Sequence, residues 1–133
     1  MGANPRIGVV VLTMGTRPED LDRGLTSLLA QRGVDLDIVV VGNGWQPDRL
    51  PEGVRALGLP ENLGIPAGRN AGVPHVTGDL LFFLDDDAWL PDPDFLRIVA
   101  DRFEADPRLG LVQPRVVDPS GMASPRRWVP RLR

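Results

Sequence analysis

The sequence contains no cysteine, which excludes disulfides, thiolate metal sites and cysteine nucleophiles. It contains no lysine either: all 15 basic residues are arginine. The phosphate-gripping lysine of a P-loop and any Schiff-base chemistry are thereby excluded. Tyrosine is missing, and His75 is the only histidine. A Ser-His-Asp hydrolase would depend on that one ring, and no G-x-S-x-G turn accompanies it. No apolar run comes near the roughly 18 residues that a membrane span needs. Met1-Gly2-Ala3-Asn4-Pro5-Arg6 lacks the basic-then-apolar layout of a signal peptide. These absences describe a soluble, cytoplasmic domain whose chemistry falls to carboxylates, arginines, amides, hydroxyls and backbone.

What is present fits one domain. The chain has 133 residues, 42% hydrophobic and 25% charged, values ordinary for a globular protein. Its 15 glycines and 14 prolines indicate many turns. The net charge of −3 is unevenly placed. Arg115, Arg126, Arg127, Arg131 and Arg133 face Asp118 alone in the last stretch, which leaves 10 basic and 17 acidic groups before it. An acidic body argues against a nucleic-acid-binding surface. The basic tail, residues 119–133, reads as a loose, solvated segment or one that docks anions, after a domain spanning 1–118.

The apolar pattern alternates in period. Ile7-Gly8-Val9-Val10-Val11-Leu12 has the β-branched composition of a strand buried on both faces. Thr16-Arg17-Pro18-Glu19 has the form of a capping box opening a helix to about Arg32, with Leu21, Leu25, Leu28 and Leu29 as its stripe and Gly33 as its stop. Strands are expected at 36–41, more weakly at 54–59, and at 80–84. Further helices are expected at 65–76, with Pro74 near the end and His75 as a helix-end residue, and at 94–104; a last strand is expected at 109–117. This order predicts an α/β domain with a mostly parallel sheet flanked by helices. Ligands of such sheets bind outside the carboxyl ends of the strands, where the strand order switches.

Three strand ends carry polar residues: Thr13, Asn43 and Asp85-Asp86-Asp87. Three adjacent carboxylates after five apolar residues repel one another unless something neutralises them. A hard divalent cation, Mg²⁺ or Mn²⁺, would do so and keep positions open for a diphosphate. The other reading is an acidic helix cap or an exposed turn, although capping needs one carboxylate and not three. The triplet lacks the spacing of a calcium-binding loop. Aspartyl-phosphate chemistry would call for a partnering lysine.

These pieces, taken in order, resemble the family 2 glycosyltransferases, whose fold is GT-A. The resemblance rests on Val11-Leu12-Thr13, Ser27-Leu28-Leu29-Ala30-Gln31, Val39-Val40-Val41-Gly42-Asn43-Gly44, Glu61-Asn62-Leu63-Gly64-Ile65-Pro66-Ala67-Gly68-Arg69-Asn70-Ala71-Gly72, Gly78-Asp79-Leu80, Phe83-Leu84-Asp85-Asp86-Asp87 and Leu90-Pro91-Asp92. It covers residues 7 to 118. It implies a nucleotide-diphospho-sugar donor held through a divalent metal, with Asp85 and Asp87 as the D-x-D pair and Asp87 as the metal ligand. Asp85 or Asp86 would contact the ribose or a metal-bound water, Asn43 the base, and Thr13 the nucleotide. Arg69 and Asn70 would line the diphosphate side. Arg17, Gly44 and Asn62 complete the expected donor site. The competing readings are an ordinary turn for Asn62-Leu63-Gly64 and a surface helix position for Arg69.

Two features depart from the family. Gly42 and Trp45 replace the outer residues of its V-D-N-G-S or V-D-D-G-S motif, and Trp45 could stack on a base, cover the cleft or fill a loop. The family also carries a second half with the acceptor site and a carboxylate base, whereas the sequence ends at Arg133. The expectation is a fragment that binds nucleoside diphosphate with metal but transfers sugar, by inversion onto a saccharide, lipid-linked or other hydroxyl acceptor, poorly or not at all. An open sheet edge would favour a homodimer. The alternatives are a nucleotidyltransferase, although Gly15-Thr16-Arg17-Pro18 is short and lysine-free, and a nucleotide-binding or interaction module whose acidic turn is structural.

Overall fold

The computed structural model describes residues 3–120, so the tail expected to be loose lies, beyond Ser120, outside the described residues. The elements run β1 (Arg6–Thr13), α1 (Pro18–Leu29), β2 (Asp35–Gly42), β3 (Val54–Gly58), α2 (Ile65–Gly72), a 3₁₀ turn (Val73–His75), β4 (Leu80–Asp85) and α3 (Phe95–Ala105). His75 ends the 3₁₀ turn that Pro74 makes out of the second helix's last residues.

The sheet has the order β3-β2-β1-β4. Every pair is parallel, with Val10 opposite Val39 and Phe83, and Val41 opposite Leu57. The β1-to-β2 crossover steps one way across the sheet and the β3-to-β4 crossover steps the other. Crossovers of one hand must then lie on opposite faces. They do: α1 and α3 cover the face carrying Ile7, Val9, Val11, Ile38 and Val40, and α2 lies over Val10 and Val41. Strands covered on both sides need apolar residues at every position, which is why β1 and β2 read as unbroken apolar runs.

The first face holds most of the core. Leu21, Leu25 and Leu28 of α1 and Leu96 of α3 are at most 7% exposed there. Each such leucine contributes about 1.5–3 kcal/mol on burial. Leu29, expected in the same stripe, is 50% exposed instead. On the second face, a Cβ at Gly72 would lie 2.7 Å from Val10 Cγ1, and one at Gly68 would lie 2.7 Å from Leu12 Cδ1. Only glycine at these positions lets α2 approach the sheet so closely.

Three local expectations differ from the structure. Thr16 does not cap α1: Arg17 occupies the N-cap without a side-chain cap bond. Pro18 sets the helix start, because it has no N–H to satisfy and its φ is already helical. The helix ends at Leu29 and not at Arg32, since the next residues are drawn to α3. There Gln31 Oε1 accepts from the Leu96 N–H at 3.0 Å, and Arg32 pairs with Asp94 at 2.9 Å. Residues 109–117 form no strand beyond a single bridge residue at Val117, and Leu111 is 83% exposed. Pro114 removes a ladder donor in mid-run and Gly110 weakens the pairing further.

Candidate functional site

The strand order reverses around β1, with β2 on one side and β4 on the other, so the crevice of this sheet opens beyond the carboxyl ends of β1 and β4. A cleft of about 430 Å³ lies there, lined among others by Thr13, Arg17, Asn43, Asn62, Arg69 and Asp85 to Asp87. It is assembled from the ends of three strands, the start of α1 and the start of α2.

Asp85 is the last residue of β4, and the chain turns at once: the Ala88 N–H donates to the Asp85 carbonyl at 3.1 Å. That turn directs Asp86 and Asp87 to the same side as Thr13. It can sit tightly against α1 because position 24 is glycine: a Cβ there would lie 2.8 Å from the Ala88 carbonyl oxygen. Each aspartate has its own counter-group. Thr13, 2% exposed, donates its hydroxyl to Asp86 Oδ2 at 2.9 Å and accepts the Gly15 N–H at 3.1 Å. Arg17 meets Asp87 Oδ2 at 2.7 Å and Asp86 Oδ1 at 4.0 Å. Arg69, on α2, meets Asp85 Oδ1 at 2.6 Å, with its guanidinium 5.8 Å from the centre of the Phe83 ring. Repulsion within the triplet is thus offset by two arginines from opposite walls of the cleft.

Asn43 shapes the third wall. Its side chain is buried, with Oδ1 accepting the Leu63 N–H at 2.8 Å and Nδ2 donating to the Gly64 carbonyl at 3.2 Å. Asn62 Oδ1 in turn accepts the Gly64 N–H at 2.9 Å. Two amide side chains therefore hold the loop that opens α2, and Asn62-Leu63-Gly64 is a braced turn at the cleft wall.

The expected site residues do not all arrive. Thr13, Arg17, Asn43, Asn62, Arg69, Asp85, Asp86 and Asp87 line the cleft, whereas Gly44 does not. Gly44 has φ 76° and faces the backbone of Glu61 and Asn62, so it serves the turn after β2. Asn70 is also absent from the lining. Trp45 fills a loop: it packs against the α1-side core and its ring lies against Gly15. Leu12, Met14, Thr16, Gly64 and Ile65 line the cleft without having been expected to. Their signal in the sequence was adjacency, since each lies within a few residues of Thr13 or Asn62.

Among the described residues, no three His, Cys, Asp or Glu side chains converge as a ready-made metal cage. The donor set still suits a hard cation. The side chains of Asp85 and Asp87 are 64% and 50% exposed and offer only carboxylate oxygens. Such ions take oxygen ligands, Mg²⁺ in particular keeps several positions outside the protein, and phosphate oxygens readily fill them. No helix among the described residues is long and apolar enough to cross a membrane.

Comparison with known proteins is consistent with this geometry. Over 111 residues the chain is 32% identical to a glucosyl-dolichyl phosphate glucuronosyltransferase of Haloferax volcanii, the alignment covering 77% of this chain and 35% of that protein. A mannosyltransferase from Pyrobaculum calidifontis, solved in complex with GDP-Man and Mn²⁺, superposes with a TM-score of 0.69 at 25% identity. That match covers 80% of this chain and 34% of the mannosyltransferase. The S. aureus TarS 1–349 structure in complex with UDP shares the fold, with a TM-score of 0.64 at 20% identity over 75% of this chain and 32% of its own. The chain thus spans about a third of the length of these relatives. The glycosyl transferase family 2 model matches residues 9–131, and with its parallel sheet of GT-A type the chain belongs to that family.

Proposed function

We propose that the cleft beyond β1 and β4 binds a nucleotide-diphospho-sugar donor together with Mg²⁺ or Mn²⁺, for inverting transfer of the sugar to a hydroxyl acceptor. The observation that carries this reading is the meeting of Asp85, Asp86 and Asp87 with Arg17 and Arg69 at the strand-order switch. The mannosyltransferase solved with GDP-Man and Mn²⁺ supports the donor class and the use of a divalent ion. The acceptor is a saccharide, a lipid-linked sugar or another hydroxyl compound; the name of the Haloferax relative favours a lipid-linked one.

Asp87 and Asp85 would hold the cation, whose contribution when bound is to offset the charge that grows on the departing diphosphate. Thr13 orients Asp86 through the 2.9 Å hydrogen bond, so that one carboxylate of the triplet keeps its direction. Asn43 and Asn62 brace the loop at 62–64, which leaves Ile65, Leu12 and Met14 as the apolar surface for a flat base. Arg17 and Arg69 supply the cationic N–H donors on either side of the diphosphate. In this reading the acceptor site and its carboxylate base belong to polypeptide outside the described cleft, consistent with the one-third span of the relatives. Self-association through a sheet edge is part of the same reading.

The test is calorimetric titration of the protein with UDP, dTDP and GDP, each with and without Mn²⁺. Metal-dependent binding of one nucleotide is expected and identifies the base. Binding of none, or binding that survives Asp87→Ala undiminished, overturns the reading.

A further inference from the structure

Each arginine of the cleft occupies a carboxylate that the proposed cation would need. Arg17 lies 2.7 Å from Asp87, and Arg69 lies 2.6 Å from Asp85. Neither pair is buried: the arginine side chains are 51% and 38% exposed and the aspartates 50% and 64%. Ion pairs so open to water are weak, so either partner can be given up for a better one. The two arginines also sit on different elements, at the α1 start and on α2, and neither belongs to the Asp85–Ala88 turn.

We propose that Arg17 and Arg69 are exchangeable counter-ions, which offset two of the three aspartate charges when the cleft is empty and transfer to the diphosphate when the cation takes the carboxylates. This inference rests on the donor-site reading above and adds how the two ligands enter. Cation and nucleoside diphosphate each release what the other needs: the cation frees two guanidinium groups for phosphate, and the phosphate draws those groups off the carboxylates. The two therefore bind as a coupled pair, and each strengthens the other by the same factor. A cation alone competes with two arginines and binds poorly. The exchange keeps the net charge of these groups small and negative throughout, so that neither three bare carboxylates nor a bare diphosphate faces a like-charged wall. The Phe83 ring, 5.8 Å from the Arg69 guanidinium, gives it a second weak contact while it is paired with Asp85.

The decisive measurement is Mn²⁺ binding without nucleotide, by electron paramagnetic resonance of the free ion, on the full chain and its variants. Arg17→Gln and Arg69→Gln are expected to bind Mn²⁺ alone about three- to tenfold tighter, because a competing cation has been removed. The same variants are expected to bind GDP or UDP in the presence of Mn²⁺ more weakly, with the Mn²⁺–nucleotide coupling reduced from at least about tenfold towards unity. Arg23→Gln is the control for net charge. Arg23 stacks on Trp89 at 4.8 Å and pairs with none of the three aspartates, so its loss is expected to change Mn²⁺ affinity by less than about twofold. Circular dichroism verifies that each variant is folded. Unchanged or weaker Mn²⁺ binding by both cleft variants, in a protein that still binds nucleotide with metal, overturns the exchange and leaves the donor site standing. Equal tightening by Arg23→Gln also overturns it, since charge alone would then account for the effect. Failure of the unaltered protein to bind any nucleoside diphosphate with Mn²⁺ overturns the donor-site reading and the exchange with it.

Discussion

Asp37 and Asp87 are both aspartates paired with arginine at 2.7 Å, at opposite ends of one parallel sheet, and their surroundings differ in every other respect. Asp37 lies near the amino ends of the strands with its side chain only 12% exposed. It accepts from the Thr77 N–H at 2.7 Å, the Thr77 hydroxyl at 3.1 Å and Arg55 at 2.7 Å, with Arg6 a further 3.5 Å away. Arg55 also donates to the His75 carbonyl. Three strands and the segment leading into β4 are thereby tied together. Burial pushes the Asp37 carboxyl up, but the hydrogen bonds from Thr77 and Arg55 outweigh it and hold the group below its ordinary value of 3.8. Asp87 has one arginine, no backbone donor among its hydrogen bonds and half its surface in water. A carboxylate that is largely buried and holds three hydrogen bonds is structural, and one that is half exposed with a single arginine partner can bind something else.

The sharpest way to break the comparison is Asp87→Ala. Metal-dependent nucleotide binding is expected to fall about a hundredfold by calorimetry, as the loss of a proposed metal ligand implies. Stability in urea should stay within about 0.5 kcal/mol, because the lost pair is exposed. Asp37→Ala is expected to do the reverse. It strands Arg55 and the Thr77 N–H, costs about 2 kcal/mol of unfolding free energy, and leaves nucleotide affinity unchanged. If both substitutions affected binding alike, the division between the two ends would be wrong.

Gly24→Ala sharpens the contrast at smaller scale. The new Cβ meets the Ala88 carbonyl at 2.8 Å and must displace the turn that aims the aspartates. Nucleotide affinity should fall about three- to tenfold, while the helix propensity gained, about 0.8–1 kcal/mol, offsets the packing cost in a denaturation curve. The smallest expected effect is in pH. Because the Asp37 pKa is depressed in the folded state, its contribution is fully present above the unfolded value and is lost as pH falls through the folded one. The difference in melting temperature between the protein and Asp37→Asn should therefore be constant above about pH 5 and narrow below about pH 4. A difference that widens on acidification would reverse the sign argued for Asp37.

Much of this was readable in advance, and the misreadings have identifiable causes. Ile7 to Leu12 announces a strand because a doubly covered strand needs apolar residues throughout, whereas Leu80 to Leu84 is as apolar although Leu81 and Phe83 are 45% and 39% exposed. The same rule misread 109–117, where Leu111 and Val112 are apolar but Pro114 and Gly110 prevent a ladder. Gly44 was expected in the site with the resemblance, and the structure places it, with a left-handed φ of 76°, against the backbone of Glu61 and Asn62. Asn43 was expected beside the base; it does line the cleft, and its amide also bonds to Leu63 and Gly64. No single-residue signal distinguishes an amide that binds a ligand from one that braces the loop around it.

Local period and the inventory of side chains account for the order of strands and helices up to α3, the acidic turn after β4 and the absence of lysine, cysteine and tyrosine chemistry, because none of these depends on contacts distant in the chain. It took the folded sheet to bring Arg17 to Asp87 and Arg69 to Asp85, while Arg55 is spent on Asp37. Those pairings join residues 70, 16 and 18 positions apart, and the strand order β3-β2-β1-β4 determines which of the chain's arginines share an end of the sheet with which carboxylates. Coulomb attraction acts over ångströms of space and is indifferent to separation along the chain, so the charge partners could be assigned only once the sheet had been folded.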